Sequence, residues 1–482
     1  MYSKILDISK RRGIVYPSFE IYGGVSGFYD YGPMGSRIKH NIEELIRRHY
    51  LIDENFYEVE CPTLSPEDIW IASGHIENFA DVMTECLKCG EPYRADHLVE
   101  EHLHKSCDGL SPGEIRDLIV EHDVRCPKCE GELDKLYDYD LMFGTQIGPG
   151  KYKQTAYLRP ETAQTTYLAF KRLWEIARRR LPFGVLQIGK SFRNEISPRQ
   201  GMLRLREFNQ AEIQFFVDPS NKDDLFGIDG SFGNDIEIID KNDEELSMKI
   251  KDALDKGVIK SKTIAYFLVK SLVLFFDMGI DPGKLRLRQH KDEERAFYSE
   301  DTWDIEFMSD NFGRVELVGV SDRTDYDLSA HMKLSKEDMQ VNLEGRKFVP
   351  HVIEIAYGID RPVYCVLESC YVEDDRGAYF KFPMEIAPYT CGVFPLVRKD
   401  GIPRKAGEVL EKLKQGRIYA FYDKAGSIGK RYARADEIGV PFCITVDYDT
   451  MKDDTVTVRE RDTKEQKRVK IDELVGLLTK YN

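Results

Sequence analysis

The 482-residue sequence predicts a mixed helix-and-strand chain (α/β, α+β) of two domains, and three observations carry that prediction. Alternating, strand-like runs and helix-like apolar periodicities interleave along the chain. The length exceeds what one hydrophobic core organises. Past Pro383 the rhythm settles into about 100 residues of strand–helix alternation, the size of a separate α/β domain. The domains are therefore 1–383 and 384–482.

Composition narrows the class. Hydrophobic residues at 42% and charged residues at 32% describe an ordinary globular protein. The sequence has no apolar run of about 18 residues, the length a membrane span needs. The start, MYSKILDISKRRG, lacks the apolar core of a secretory signal, so a cytoplasmic location is expected. A net charge of −15 argues against a DNA-coating protein, but it is uneven: residues 386–482 carry +4 and residues 1–385 carry −19. A basic module on an acidic body can still meet RNA, because phosphate contacts depend on local potential.

In chain order, Gly32-Pro33-Met34-Gly35 leads into a helix at 38–51, where Ile38, Ile42, Leu45, Ile46 and Leu51 recur at helical spacing. A strand at 56–60 follows and stops at Pro62. The Cys- and His-rich stretch from about 84 to 150 reads as an insertion containing a helix at 112–122. A helix is expected around 162–180, and strands at 185–193 and 207–217. Residues 219–257, with 11 Asp+Glu against 5 Lys, read as a solvated surface insertion. Strands resume at 285–288, 302–308 and 314–319, and a helix at 358–370 closes this half. In the C-terminal domain the elements fall at 392–396, 409–413, 418–421, 428–437, 442–446 and 455–459.

Three groups of residues carry chemistry. Phe192-Arg193-Asn194-Glu195 and Arg204-Leu205-Arg206-Glu207-Phe208 flank a basic loop, 196–203, between two strands. Such a hairpin can clamp a nucleotide, with Arg193 as a bidentate fork on a phosphate and Phe208 flat on a base. A surface hairpin of ordinary Arg–Glu pairs fits the charge pattern equally well. Gly358-Ile359-Asp360-Arg361 opens a helix, where glycine lets a ligand approach and the helix N-terminus favours an anion. Finally, Cys86-x-x-Cys89 and Cys126-x-x-Cys129 stand 36 residues apart. Four thiolates so paired can close a tetrahedral structural zinc site, four free thiols being the alternative.

Together the hairpin and the Gly358–Arg361 motif resemble class II aminoacyl-tRNA synthetases, and longer strings resemble the glycyl-tRNA synthetases of archaeal–eukaryotic type. They include 21–27 (IYGGVSG), Ser73-Gly74-His75, Phe79-Ala80-Asp81, 93–98 (YRADHL), 158–164 (LRPETAQ), 192–198, Ala211-Glu212-Ile213, Arg288-Gln289-His290, Tyr326-Asp327-Leu328-Ser329 and 427–439. The resemblance runs from about residue 4 to 475. It implies an antiparallel-sheet catalytic domain with a zinc-type insertion, then an α/β anticodon-binding domain. It makes the helix and strand before Pro62 a dimer-forming segment, and a homodimer is expected.

The resemblance also implies residue roles. Arg193, Arg361 and Glu316 would be catalytic, with Glu316 holding ATP-bound Mg2+. The ATP site would comprise Arg193, Asn194, Glu195, Leu203, Arg204, Leu205, Arg206, Glu207, Phe208, Glu316, Leu317, Gly358, Ile359, Asp360 and Arg361. The amino-acid site would comprise Arg94, Glu161, Phe208, Asn209, Gln210, Ala211, Glu212, Glu354, Ile355, Ala356, Tyr357 and Gly358. Among these, Glu161, Glu212 and Glu354 would surround the glycine ammonium. ATP, glycine and tRNA(Gly) are the implied partners. Lys424, Lys430, Arg431 and Arg434 are the candidate tRNA contacts, with helix-surface salt bridges to Asp436 or Glu437 as the alternative. Two positions depart from the family pattern. Ala356 stands where a serine is usual and Thr165 where a glycine is usual, so both bear on the shape of the amino-acid pocket. A catalytically inactive synthetase-like binding module and a synthetase for another small amino acid stay open as alternatives.

Overall fold

The computed structural model describes residues 1–479 except 105, 106, 108, 109, 197, 199, 228–232, 293, 296–298, 376 and the Asn78 side chain. Ser197 and Arg199 of the basic loop thus lie outside the described residues.

The large domain is organised by a nine-stranded sheet. Its strands are β1 (Tyr57–Val59), β2 (Phe183–Phe192), β3 (Glu207–Val217), β4 (Ile236–Ile239), β5 (Glu245–Met248), β6 (Leu285–Gln289), β7 (Asp301–Ser309), β8 (Gly313–Thr324) and β9 (His351–Gly358). Their spatial order is β5-β4-β6-β7-β8-β9-β3-β2-β1. All neighbours are antiparallel except β2–β1 and β4–β6. One face is covered by α1 (Pro33–Arg47), α2 (Lys262–Asp277) and α3 (Asp360–Cys370), which bury the main apolar core. Ten of the 16 residues of α2, KTIAYFLVKSLVLFFD, are buried, and Lys262, Tyr266, Lys270 and Asp277 fall on its one narrow outer face. Pro33 at the first turn of α1 supplies a preset φ and lacks only an N–H that would have no helical partner.

Three expectations change. The segment 219–257 is not a mere surface insertion: it holds β4, β5 and a helix, Ile250–Asp255, which extend the main sheet. Buried Ile236, Ile238, Ile250 and Ala253 anchor it, a short alternation hidden among eleven acids. The helix expected at 162–180 is two helices, Ala163–Leu168 and Phe170–Ile176. The helix expected at 38–51 begins at Pro33, and its last turn, Arg48–Ile52, is a π turn.

The Cys-rich insertion carries its own three-stranded sheet, Pro92–Arg94, Ala80–Glu85 and Tyr137–Asp140. Its helix Pro112–Glu121 starts from a capping box of Ser111 and Glu114. The C-terminal domain has five strands, ordered Ala420–Tyr422, Cys391–Pro395, Phe442–Val446, Thr455–Glu460 and Gln466–Lys470, around a separate core. It docks on the large domain through Glu437, paired with Arg11 and Arg12. Arg461 adds donation to the Phe382 carbonyl at 3.0 Å.

Candidate active-site cleft

The sheet face opposite α1, α2 and α3 is covered at one end by helices Ala163–Leu168, Phe170–Ile176 and Tyr326–Ser335 over a second apolar cluster, and beside them it is open and polar. Two joined cavities of about 380 and 570 Å³ lie on it, sharing Leu203, His290, Asp304, Glu316 and Arg361 among their walls.

Strand alternation decides which side chains reach the cleft. On β3, Gln210 and Glu212 face it while Ala211 and Ile213 enter the helix-side core. On β9, Glu354, Ala356 and Gly358 face it while Ile355 and Tyr357 are buried. On β8, Gly319, Ser321 and Arg323 face it, so simple alternation would turn Glu316 away. A β-bulge intervenes: Ile305 of β7 pairs with Val318, and the next residue, Glu306, pairs with Glu316. Leu317 is the extra residue, and it and Val318 both enter the core, which brings Glu316 onto the cleft face.

At one end of the cleft, three carboxylates converge on one guanidinium. Arg323 Nη1 donates to Glu354 Oε2 at 2.9 Å, and Arg323 lies 4.0 Å from Glu161. Glu354 Oε1 accepts from Gln214 at 2.9 Å, Glu161 Oε1 from Gln164 at 2.9 Å, and Glu212 Oε2 from the Thr162 hydroxyl at 2.6 Å. Burial and the neighbouring Glu354 and Glu161 push Glu212 up to about 8. Burial also raises Glu354, against the pull of Arg323. Burial acts the same way on Glu161, but His75 at 3.5 Å and Arg323 outweigh it and hold Glu161 well below the usual carboxylate range. Arg323 is shared with Asp327 behind the wall, so the acids outnumber it and leave a site suited to a small cation.

The other end is rich in arginine. Arg193 has its guanidinium 5.4 Å from the ring centroids of both Phe79 and Phe208. Arg361, from the first turn of α3, reaches Glu316 at 3.2 Å, and Arg204 pairs with Glu195 at 2.5 Å. A Cβ at Gly358 would meet only Arg361 Cδ, at 3.9 Å, so the backbone there is open to a ligand. Asp304 faces this end, pushed up to about 6 chiefly by burial, with His290 2.7 Å away opposing it.

Several expected site residues lie elsewhere. Leu317, Ala211, Ile355, Tyr357 and Ile359 pack in the core, because their strand or turn position points them at the helices. Asn194 Nδ2 turns to the Asp140 carbonyl, Glu207 pairs with Lys190 at the surface, and Arg206 binds the Ser26 and Glu195 carbonyls. Asp360 borders the cleft, but its carboxylate is taken up by Asn209 and Tyr31. Arg94 is outside the cleft, held by Asp81 at 3.2 Å and by Asp96 in the insertion. Thr165 is buried behind the wall, its hydroxyl donating to the Thr162 carbonyl at 2.9 Å; only Ala356 of the two departures lines the cleft. Arg431 is no surface cation either: it is buried and donates to the Gly426 carbonyl at 3.2 Å, and Arg434 pairs with Asp423. Conversely, Arg323, Gly319 and Ser321 received no role from sequence. Their only local signal is the two-residue alternation with Val318 and Val320.

The four cysteines meet as the spacing suggested. Their sulfurs lie within 4.8 Å of one another, with Cys86–Cys129 at 3.4 Å and Cys89–Cys126 at 3.7 Å. Tetrahedral zinc with ~2.3 Å bonds places sulfurs about 3.8 Å apart, so the donor set fits that ion. Gly131 leaves room for it: a Cβ there would stand 2.8 Å from Cys86 Sγ.

A family model for the tRNA synthetase class II core domain (G, H, P, S and T) matches residues 150–370, and one for an anticodon binding domain matches residues 390–481. Glycine–tRNA ligase of Methanocaldococcus jannaschii is 42% identical over 99% of this chain and 98% of its own length. The same-named protein of Pyrococcus furiosus is 42% identical over 98% of this chain and 97% of its own length. Among solved structures, prolyl-tRNA synthetase of Cryptosporidium parvum complexed with halofuginone and AMPPNP superposes with a TM-score of 0.59 at 14% identity, covering 99% of this chain and 74% of that one. A threonyl-tRNA synthetase structure from the same organism gives 0.63 at 16%, covering 99% and 98%. At such identities these two likenesses concern the fold.

Proposed function

The chain belongs to the glycine–tRNA ligase family of class II aminoacyl-tRNA synthetases, and on that premise we propose how its cleft performs the reaction. The enzyme activates glycine with ATP and transfers it to the 3′ end of tRNA(Gly). The observation that supports the residue roles is the pairing, in one cleft, of a three-carboxylate end with an arginine end. Glu161, Glu212 and Glu354 take the glycine ammonium. Its carboxylate then lies toward Arg193 and attacks the α-phosphorus of ATP, expelling pyrophosphate. Arg193 steadies charge on the α-phosphate and Arg361 on the departing phosphates, while Phe208 stacks on the adenine. No activated serine, cysteine or histidine is required, since the glycine carboxylate is itself the nucleophile. The terminal ribose hydroxyl of tRNA then attacks the adenylate carbonyl and AMP leaves.

Glu316 is the Mg2+ ligand of this reading, with Asp304 and Glu306 as further hard oxygen donors on the same wall. Mg2+ supplies charge neutralisation on the phosphates. Glycine specificity rests on lack of space, since an extra methyl in an apolar slot changes discrimination by only about 1–3 kcal/mol. Cys86, Cys89, Cys126 and Cys129 hold one structural zinc, which supports the insertion beside the acceptor arm of tRNA. The C-terminal domain reads the anticodon. A cytoplasmic homodimer, joined through α1 and β1, completes the reading.

ATP–pyrophosphate exchange with glycine, alanine and serine tests it. Exchange with glycine and little with the others is expected. No exchange at all would overturn the catalytic reading, and equal exchange would overturn the specificity. Metal analysis of protein prepared without chelator should find about one zinc per chain. A metal-free protein with four titratable thiols would contradict the zinc site.

A further inference from the structure

The acidic end is built from separate segments: Glu161 in the turn before helix Ala163–Leu168, Glu212 on β3 and Glu354 on β9. No single element sets their spacing. Two of them are nonetheless joined by a path that runs behind the cavity. Asp327 Oδ2 accepts from Arg323 Nε at 2.8 Å, and its Oδ1 accepts from Arg323 Nη2 at 3.0 Å and Gln164 Nε2 at 2.8 Å. Arg323 continues to Glu354 and Gln164 to Glu161, at 2.9 Å each. Asp327 thus ties the two glutamates across the pocket, although it is only 2% exposed and is not among the cavity walls.

The path has one orientation. Gln164 spends both amide hydrogens on carboxylates, so its Oε1 is the acceptor toward His331 Nε2 at 2.9 Å. His331 is therefore the donor, protonated on Nε2. Asp327 and His331 sit four residues apart on helix Tyr326–Ser335, one face of which backs the pocket. Buried hydrogen-bonded networks of this kind fix geometry.

We propose that Asp327 and His331 are positioning residues for glycine: Asp327 sets the separation of Glu161 and Glu354, and His331 locks the Gln164 amide that links them. Neither touches substrate. The inference rests on the reading of the acidic end as the glycine site.

The test is steady-state ATP–pyrophosphate exchange on the full chain. In Asp327→Asn, the amide nitrogen must face a donor whichever way it turns, because both oxygens accept. The glycine KM is expected to rise about 10-fold or more, as for loss of a hydrogen bond to a charged group, with the ATP KM within about twofold. His331→Gln keeps a donor near Nε2 and should restore the wild-type glycine KM, whereas His331→Met should raise it. A purely structural role would lower the melting temperature without separating glycine from ATP. Unchanged glycine KM in Asp327→Asn, or equal glycine KM in the two His331 variants, overturns the inference; the His331 pair decides alone if Asp327→Asn does not fold. Wild-type protein without glycine-dependent exchange would instead overturn the underlying site reading.

Discussion

At the acidic end of the cleft the carboxylates are buried and each accepts from a protein donor, whereas at the arginine end Arg361, Arg204 and Glu316 stay partly exposed. The side chains of Arg323, Glu354 and Glu161 are 2%, 10% and 13% exposed, against 37% for Arg361, 36% for Arg204 and 50% for Glu316. A small ligand with little surface of its own gains specificity only from a site already in shape, because it brings little binding energy with which to rearrange one. A triphosphate brings several charges and can displace Glu316 from Arg361 at small cost, since exposed ion pairs contribute about 0–1 kcal/mol. The rigid end suits recognition; the loose end suits a substrate that binds, reacts and leaves.

The contrast is open to direct attack. Arg193→Ala and Arg361→Ala are expected to slow glycyl-adenylate formation about 100-fold or more each, with little change in melting temperature. Near-wild-type exchange in both would remove them from the chemistry. Glu354→Gln is expected to raise the glycine KM roughly 10- to 100-fold. It should also lower the melting temperature, since Arg323 keeps its charge in a buried place with one counter-charge fewer. A melting loss no larger than that of Arg361→Ala would erase the distinction between the two ends.

A smaller effect should follow pH. Burial and its two acidic neighbours hold Glu212 at about 8, so below that pH the empty pocket carries a proton there. An ammonium needs the ionised form, so glycine binding must expel the proton. Glycine affinity is therefore expected to improve about fivefold between pH 7 and pH 8 while the ATP KM stays flat. Glu212→Gln should bind glycine weakly and without this slope; a slope that survives the substitution belongs to another group. The smallest change is expected outside the cleft. Lys424→Ala with Lys430→Ala should weaken tRNA binding a few-fold and reduce its salt dependence by about one to two phosphate contacts, leaving exchange unaltered. Arg431→Ala should instead destabilise the C-terminal domain, since its guanidinium serves carbonyls inside that domain.

Much was legible in order of residues alone. The hairpin of β2 and β3, the helix Ile428–Glu437 and the paired cysteines depend on local periodicity, capping and spacing, which neighbouring residues carry. The identities of Glu161, Glu212, Glu354, Arg193 and Arg361 as a set came from longer strings. The helix Lys262–Asp277 is hard to read because its polar stripe, Lys262, Tyr266, Lys270 and Asp277, is thin against a long apolar run. The sheet-forming role of 236–248 was missed because two isoleucines were outweighed by acids.

By itself, then, the sequence determined most of the element types, the family and many of the charged residues near the cleft, though not Arg323. Only the tertiary structure decided which of those charges face the cleft. Leu317 entered the core and Glu316 the site because of one bulge in the β7–β8 pairing, and such a register shift is a relation between two strands. Folding of the whole domain likewise brought Asp327 to Gln164 across 163 residues of chain. Contacts at that separation exist only once the sheet has closed, so no local pattern encodes which acid will hold another in place.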